Sequence, residues 1–144
     1  MANKNDNGLA STLAAFDRVR MAPRAAIRPA LAKAGHDLAD TMQLFAQSSR
    51  DTGALMNSIE VTAPGESTPS FSQPGGARVA GEAEVIVTAG NEAVRYPHLV
   101  EYGTADTEAQ PFFWPAFRLR RQQLLNQIAR AGRKAVRDEW NNKT

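Results

Sequence analysis

The sequence predicts an α+β fold: a small antiparallel sheet with a long mobile inter-strand loop, N-terminal helices, and a long C-terminal helix packed on the sheet. Three observations predict it. Apolar residues recur at helical spacing near both ends of the chain. Two short stretches in the middle alternate apolar with polar residues or are rich in β-branched ones. A run of Pro, Gly and Ser separates those two stretches.

The first helix is expected over Leu9–Arg20, where Leu9, Leu13 and Phe16 share a face. Pro23 and Pro29 follow. Proline suits a first helical turn and breaks an interior, so a second helix is expected to begin between them and run to about Ser48. Its apolar stripe is Ile27, Leu31, Ala34, Leu38, Met42 and Phe45. Gly35 in its middle costs up to ~1 kcal/mol against Ala, which close backbone packing would offset. Asp51-Thr52-Gly53 is turn chemistry.

From Asn57 to Thr62, Ile59 and Val61 alternate with polar residues, as in a half-buried strand. Glu82–Ala89 is the clearer second strand, closed by Gly90-Asn91. Between them, Ala63–Gly81 holds three prolines, four glycines and three serines. It is expected to be a mobile excursion whose strong contact-formers are Phe71 and Arg78. Its glycines precede a strand and lack Gly-Lys-Ser/Thr, which excludes a phosphate loop. A third strand is expected near Ala93–Tyr96, near Thr104–Ala109, or from a partner subunit, because two strands alone make a weak sheet.

Pro97 at a first helical position and Gly103 as a stop bound one or two helical turns. The last helix is expected over Pro115–Trp140, about 40 Å at 1.5 Å per residue. Phe117, Leu124, Ile128, Ala131 and Ala135 form its stripe, widened by Leu125, Val136 and Trp140.

At 144 residues the chain is expected to be one domain: a helical region 9–48, a strand pair 57–89 with the flexible loop 63–81, an aromatic junction 96–117 and the helix 115–140. There are no cysteines, so disulfides are excluded and a reducing compartment is expected. The N-terminus lacks the apolar core of a signal peptide, and no apolar run approaches ~20 residues, so neither export nor a membrane partner is expected. Net charge is +2 but unevenly spread. Arg118, Arg120, Arg121, Arg130, Arg133, Lys134 and Arg137 come before any acid, the first being Asp138. Such a block reads either as a solvated helix face or as an interface for an acidic surface or nucleic acid.

Little in the sequence carries reaction chemistry. His36 and His98 form no metal-ligand pair with another His or Cys. Asp37 and Asp40 lie on a predicted polar face with no pocket to separate their pKa values. Ser58 lacks a nucleophile elbow. No catalytic residue, metal, cofactor or small-molecule substrate is expected. The chain concentrates instead on Tyr96–Phe117, which includes Phe112, Phe113, Trp114 and Phe117. These aromatics either plug the core or are partly buried by a partner chain, and the second reading is preferred for a core this small. Trp140 is a packing anchor or a contact hot spot.

Three linked motifs resemble the tail-component family of long-tailed bacteriophages, prophages and gene-transfer agents. They are D-T-G-A-L-M-N-S-I (Asp51–Ile59), Y-P-H-L-V-E-Y-G-T (Tyr96–Thr104) and A-Q-P-F-F-W-P-A-F (Ala109–Phe117). Thr52, Gly53, Leu55, Ser58 and Ile59 match the first family pattern. Tyr96, Glu101, Gly103 and Thr104 match the second, and Pro111, Phe112, Pro115 and Ala116 the third. The resemblance implies a non-enzymatic virion subunit, made in the host cytoplasm, that joins or completes the tail at the neck. It would act as a ring of its own copies, hexameric by preference, between connector or stopper proteins and tail-terminator or tail-tube proteins, with possible contact to DNA in the channel. Glu101 is expected to pair with an arginine of the same or a neighbouring subunit. Phe71, Arg78, Glu101, Phe112, Phe113, Trp114, Arg118, Arg121 and Trp140 are expected at subunit or partner contacts. The rival reading is a nucleic-acid-binding accessory protein that uses the basic last helix.

Overall fold

The computed structural model describes residues 8–48 and 53–142, so Asp51 and Thr52 of the first motif lie outside the described residues. The order of elements is α1 (Leu9–Ala46), α2 (Ala54–Asn57), β1 (Glu60–Thr62), β2 (Ile86–Thr88), α3 (Pro97–Tyr102) and α4 (Phe113–Asn141). The fold is α+β, as the sequence predicts.

The two expected N-terminal helices are one. α1 runs unbroken for 38 residues with Pro23 and Pro29 inside it. Each proline withholds one N–H from the helical ladder, at a cost of about 3 kcal/mol. Packing offsets that cost, because α4 lies antiparallel along α1. Arg18 Nε stands 3.3 Å from Glu139 Oε1 near one end of the pair. Nearer the other, Asp37 Oδ2 accepts from Gln127 Nε2 at 3.4 Å. Lys33 donates to the same Asp37 oxygen at 2.9 Å, and that bond holds the Asp37 carboxyl below its ordinary value. Ala34, Leu38, Met42 and Ala46 of α1 share a buried cluster with Leu55, Phe112, Phe113, Ala116 and Leu124.

The sheet has two strands, paired antiparallel with Val61 opposite Val87 and Thr62 opposite Ile86. Both strands are shorter than the sequence indicates, and neither expected third strand forms among the described residues. The sheet is held by α1 rather than by α4. An ideal Cβ at Gly35 would stand 2.7 Å from Val85 Cγ1 and 2.9 Å from Val61 Cγ1. Gly35 therefore lets the strands lie directly on the helix backbone. Gly35→Ala gains about 1 kcal/mol of helix propensity. It must also displace two β-branched side chains, which costs about 1–3 kcal/mol. The expected outcome is a net loss, read as a lower urea midpoint at unchanged slope.

The Ala63–Gly81 connection folds back on itself. Thr68 N–H donates to Arg78 O at 2.8 Å, Ala80 N–H to Glu66 O at 2.8 Å, and Gln73 N–H to Ala89 O at 2.8 Å. Thr68, Ser72 and Ala80 are buried, as are Thr62 and Thr88 on the strands. The sheet face away from Gly35 is thus not left to solvent.

Candidate subunit interface

The aromatic junction is built around one carboxylate. Tyr96 caps α3, Pro97 supplies its first position, and Gly103 ends it, its N–H donating to Leu99 O at 2.8 Å. Gly103 has φ 75° and ψ 177°, a region open essentially to glycine alone. It has no room for a side chain either: a Cβ would stand 2.7 Å from Ala109 N and 2.9 Å from Thr107 O. Thr104 then closes a tight turn, its Oγ1 accepting from Thr107 N–H at 3.0 Å and its own N–H donating to Thr107 O at 2.8 Å. The returning chain is fixed by Gln110 N–H to Val100 O at 2.8 Å.

This reversal brings the start of α4 onto Glu101. A helix leaves its first four N–H groups without partners. The N-cap here, Phe112, has no side chain able to take one. Glu101 Oε2 accepts from Phe112 N–H at 2.8 Å and Phe113 N–H at 2.9 Å, and Oε1 accepts from Trp114 N–H at 3.1 Å. The fourth position is Pro115, which has no N–H. All four orphan sites are thereby settled, and a negative charge sits on the positive end of the helix dipole. Glu101 is only 7% exposed. Its expected arginine partner is replaced by this cap.

The rings of the junction divide. Phe112, 1% exposed, and Phe113 lie inside the protomer's own core. That corrects their expected place at a subunit contact. Edge-to-face contacts run from Phe112 to Phe113 at 6.3 Å, on to Trp114 at 5.0 Å, and on to Phe117 at 6.0 Å. Trp114 and Phe117 are half-buried. Trp114 Nε1–H donates to the hydroxyl of Tyr102, which is 70% exposed. Tyr102 is the outward-facing ring that the sequence reading did not single out.

The remaining residues of the first motif brace the sheet. Gly53, at φ 91°, caps α2. Leu55 and Ile59 are buried. Ser58 Oγ donates to Leu55 O at 2.6 Å and accepts from Gly90 N–H at 3.0 Å, tying α2 to the end of β2. Pro111 is exposed just ahead of α4.

The other expected contact residues are accessible but scattered. Phe71 is exposed, with the Arg95 guanidinium 3.8 Å from its ring centroid. Arg78 donates two hydrogen bonds to Glu84, Nη1 to Oε1 and Nη2 to Oε2, each at 3.2 Å. That pairing and a bond from Gly81 N–H hold the Glu84 carboxyl below its ordinary value, the backbone bond contributing most. Arg118, Arg121 and Trp140 are exposed on α4. Hollows open beside the junction and beside the sheet. A cup of about 80 Å³ is lined by Pro74, Pro97, His98, Tyr102 and Trp114. A wider apolar notch of about 260 Å³ has α1 beside the sheet's Val85 and Val87 and α4's Phe117, Leu125 and Ile128. The cup has room for a few waters, whereas drug-sized ligands occupy several hundred Å³. Among the described residues, no group of three or more His, Asp or Glu could hold a metal ion, and no helix is long and apolar enough to cross a membrane.

A family model described as "Bacteriophage HK97-gp10, putative tail-component" matches residues 10–103, well over half of the chain. The match takes in the first motif and the second as far as Gly103, and ends before Thr104 and the third. No curated protein matches, and no solved structure matches.

Proposed function

The chain belongs to the HK97-gp10-like family of bacteriophage tail components, and from that premise we propose that it is a non-enzymatic subunit of the virion that joins or completes the tail at the head–tail junction. It acts there as a closed ring of its own copies, with six favoured. Connector or stopper proteins lie on one side and tail-terminator or tail-tube proteins on the other.

One observation supports this reading above the rest: the residues of the recurring motifs are spent on holding backbone. Glu101 and Ser58 are buried and committed to backbone groups, and Thr104 Oγ1 accepts from backbone N–H groups in its own turn. What reaches the surface is contact material. Tyr102, Leu119, Leu125 and Trp140 are all at least half exposed. Single exposed apolar residues are ordinary, but Leu125 at the rim of an open apolar notch and Tyr102 at the rim of the cup fit a chain that packs against neighbours.

Deleting the gene in the producing phage is expected to leave filled heads and separate tails in electron micrographs, with infectivity lost and restored by supplying the chain in trans. Intact, infectious virions from the deletion would contradict a joining role. A second reading, duplex DNA binding, is favoured by the exposed arginines of α4. It requires affinity that falls steeply with salt.

A further inference from the structure

We propose that neighbouring copies meet head to tail, the arginine-bearing outer face of α4 in one copy seated on the acidic sheet-and-loop region of the next. This contact rests on the ring reading above. The chain splits its charge sharply. Residues 49–112 carry nine carboxylates against three arginines, a net of −6, and residues 113–144 carry eight basic side chains against two carboxylates, a net of +6.

The start of α4 lies by the sheet, with Arg121 lining the notch beside Val85 and Val87, but the half of α4 that carries Arg130, Arg133 and Arg137 lies away from it. The sheet meets α1 at Gly35. The C-terminal end of α4 lies beside the far end of α1, where Glu139 meets Arg18. Gly35 and Arg18 are about 25 Å apart along the helix at 1.5 Å per residue. That is about three screening lengths at physiological salt. No ion pair among the described residues joins the two regions: Arg78 pairs with Glu84 near the sheet, Lys134 with Asp138 on α4, and Glu139 with Arg18 of α1.

Unspent charge is left on both sides. Arg130, Arg133 and Arg137 are exposed and spaced three and four apart, on the side of α4 opposite Leu124, Ala131 and Ala135. They form no ion pair with any described residue, and neither do the exposed Glu66, Glu82 and Glu92. A second copy supplies the surface that each set lacks. Each copy then uses both surfaces once, which is the heterologous contact that closes a ring.

The test uses two charge-reversed chains. One carries Arg130→Glu, Arg133→Glu and Arg137→Glu; the other carries Glu66→Arg, Glu82→Arg and Glu92→Arg. All six positions are exposed, and unchanged circular dichroism checks that both chains fold. Sedimentation is followed up to millimolar protein. Wild-type self-association is expected to weaken ~10-fold or more as salt rises from about 50 to about 500 mM. Each reversed chain alone is expected to associate at least ~100-fold more weakly, and an equimolar mixture of the two to recover assembly, because opposite surfaces again face each other. If the wild type assembles and either reversed chain alone assembles as well, or the mixture does not recover, this contact is wrong and the ring reading stands. A wild type that stays monomeric throughout sinks both. Loss of duplex DNA retention in the first variant with assembly unchanged would assign the arginines to DNA instead.

Discussion

Glu101→Ala is expected to cost about 3–5 kcal/mol of folding stability, a large part of the ~5–15 kcal/mol available to a domain. The substitution strips the acceptor from three consecutive N–H groups, and two of them belong to the buried Phe112 and Phe113. Water cannot easily replace it there, so each group bears much of its desolvation cost. The helix also loses a charge that complements its dipole. Glu101→Gln keeps the shape and one carbonyl oxygen but trades the charge and the second acceptor for an amide. It is expected to lose about half as much. Urea unfolding of the three chains gives the comparison. Equal stability of wild type and Glu101→Ala would show that the cap is not what anchors α4. Because α4 enters through this cap, the Ala variant should also fray first at Phe113–Phe117. Amide exchange faster there than at Leu124 would show it.

Gly103→Ala is expected to cost about 3 kcal/mol through two separate effects. The backbone at φ 75°, ψ 177° is closed to a residue with a Cβ, a penalty of about 1–3 kcal/mol. The added methyl group would also press on Ala109 N and Thr107 O, which are backbone atoms and cannot swing aside. The natural control is Gly53→Ala. Gly53 has φ 91°, but nothing lies within 4 Å of where its Cβ would be. It bears the conformational term alone, about 1–2 kcal/mol. Gly103→Ala should therefore be clearly the worse of the two. Equal losses would mean that the close return of the chain past Gly103 does not matter.

Much of this junction was legible in the sequence. Pro97 and Gly103 bounded α3 at the residues where it begins and ends, because a fixed φ and a permissive φ act locally. The role of Glu101 was not read, although a signal for it existed. Glu108 to Phe112, the five residues leading into α4, include no Ser, Thr, Asp or Asn to cap a long helix. A helix with no local cap must recruit one from elsewhere, and Glu101 is the acid fixed ahead of it by the Gly103 reversal. Pro23 and Pro29 misled for the opposite reason. Their local penalty is real, but it is outweighed by α4, which lies some ninety residues further along the chain. The same non-local term assigned the aromatics. Phe112 and Phe113 close the space among Met42, Leu55 and Leu124, which a count of rings in a short segment cannot reveal.

The central claim is that this scaffold exists to hold copies of the chain against one another around the tail axis. Cryo-electron microscopy of purified particles tests it most directly. The account predicts a closed ring of this chain at the head–tail junction, with α4 of each copy against the sheet-and-loop region of the next and Phe112 and Phe113 sealed inside each protomer. A particle from which the chain is absent, or in which its copies do not touch, would contradict it.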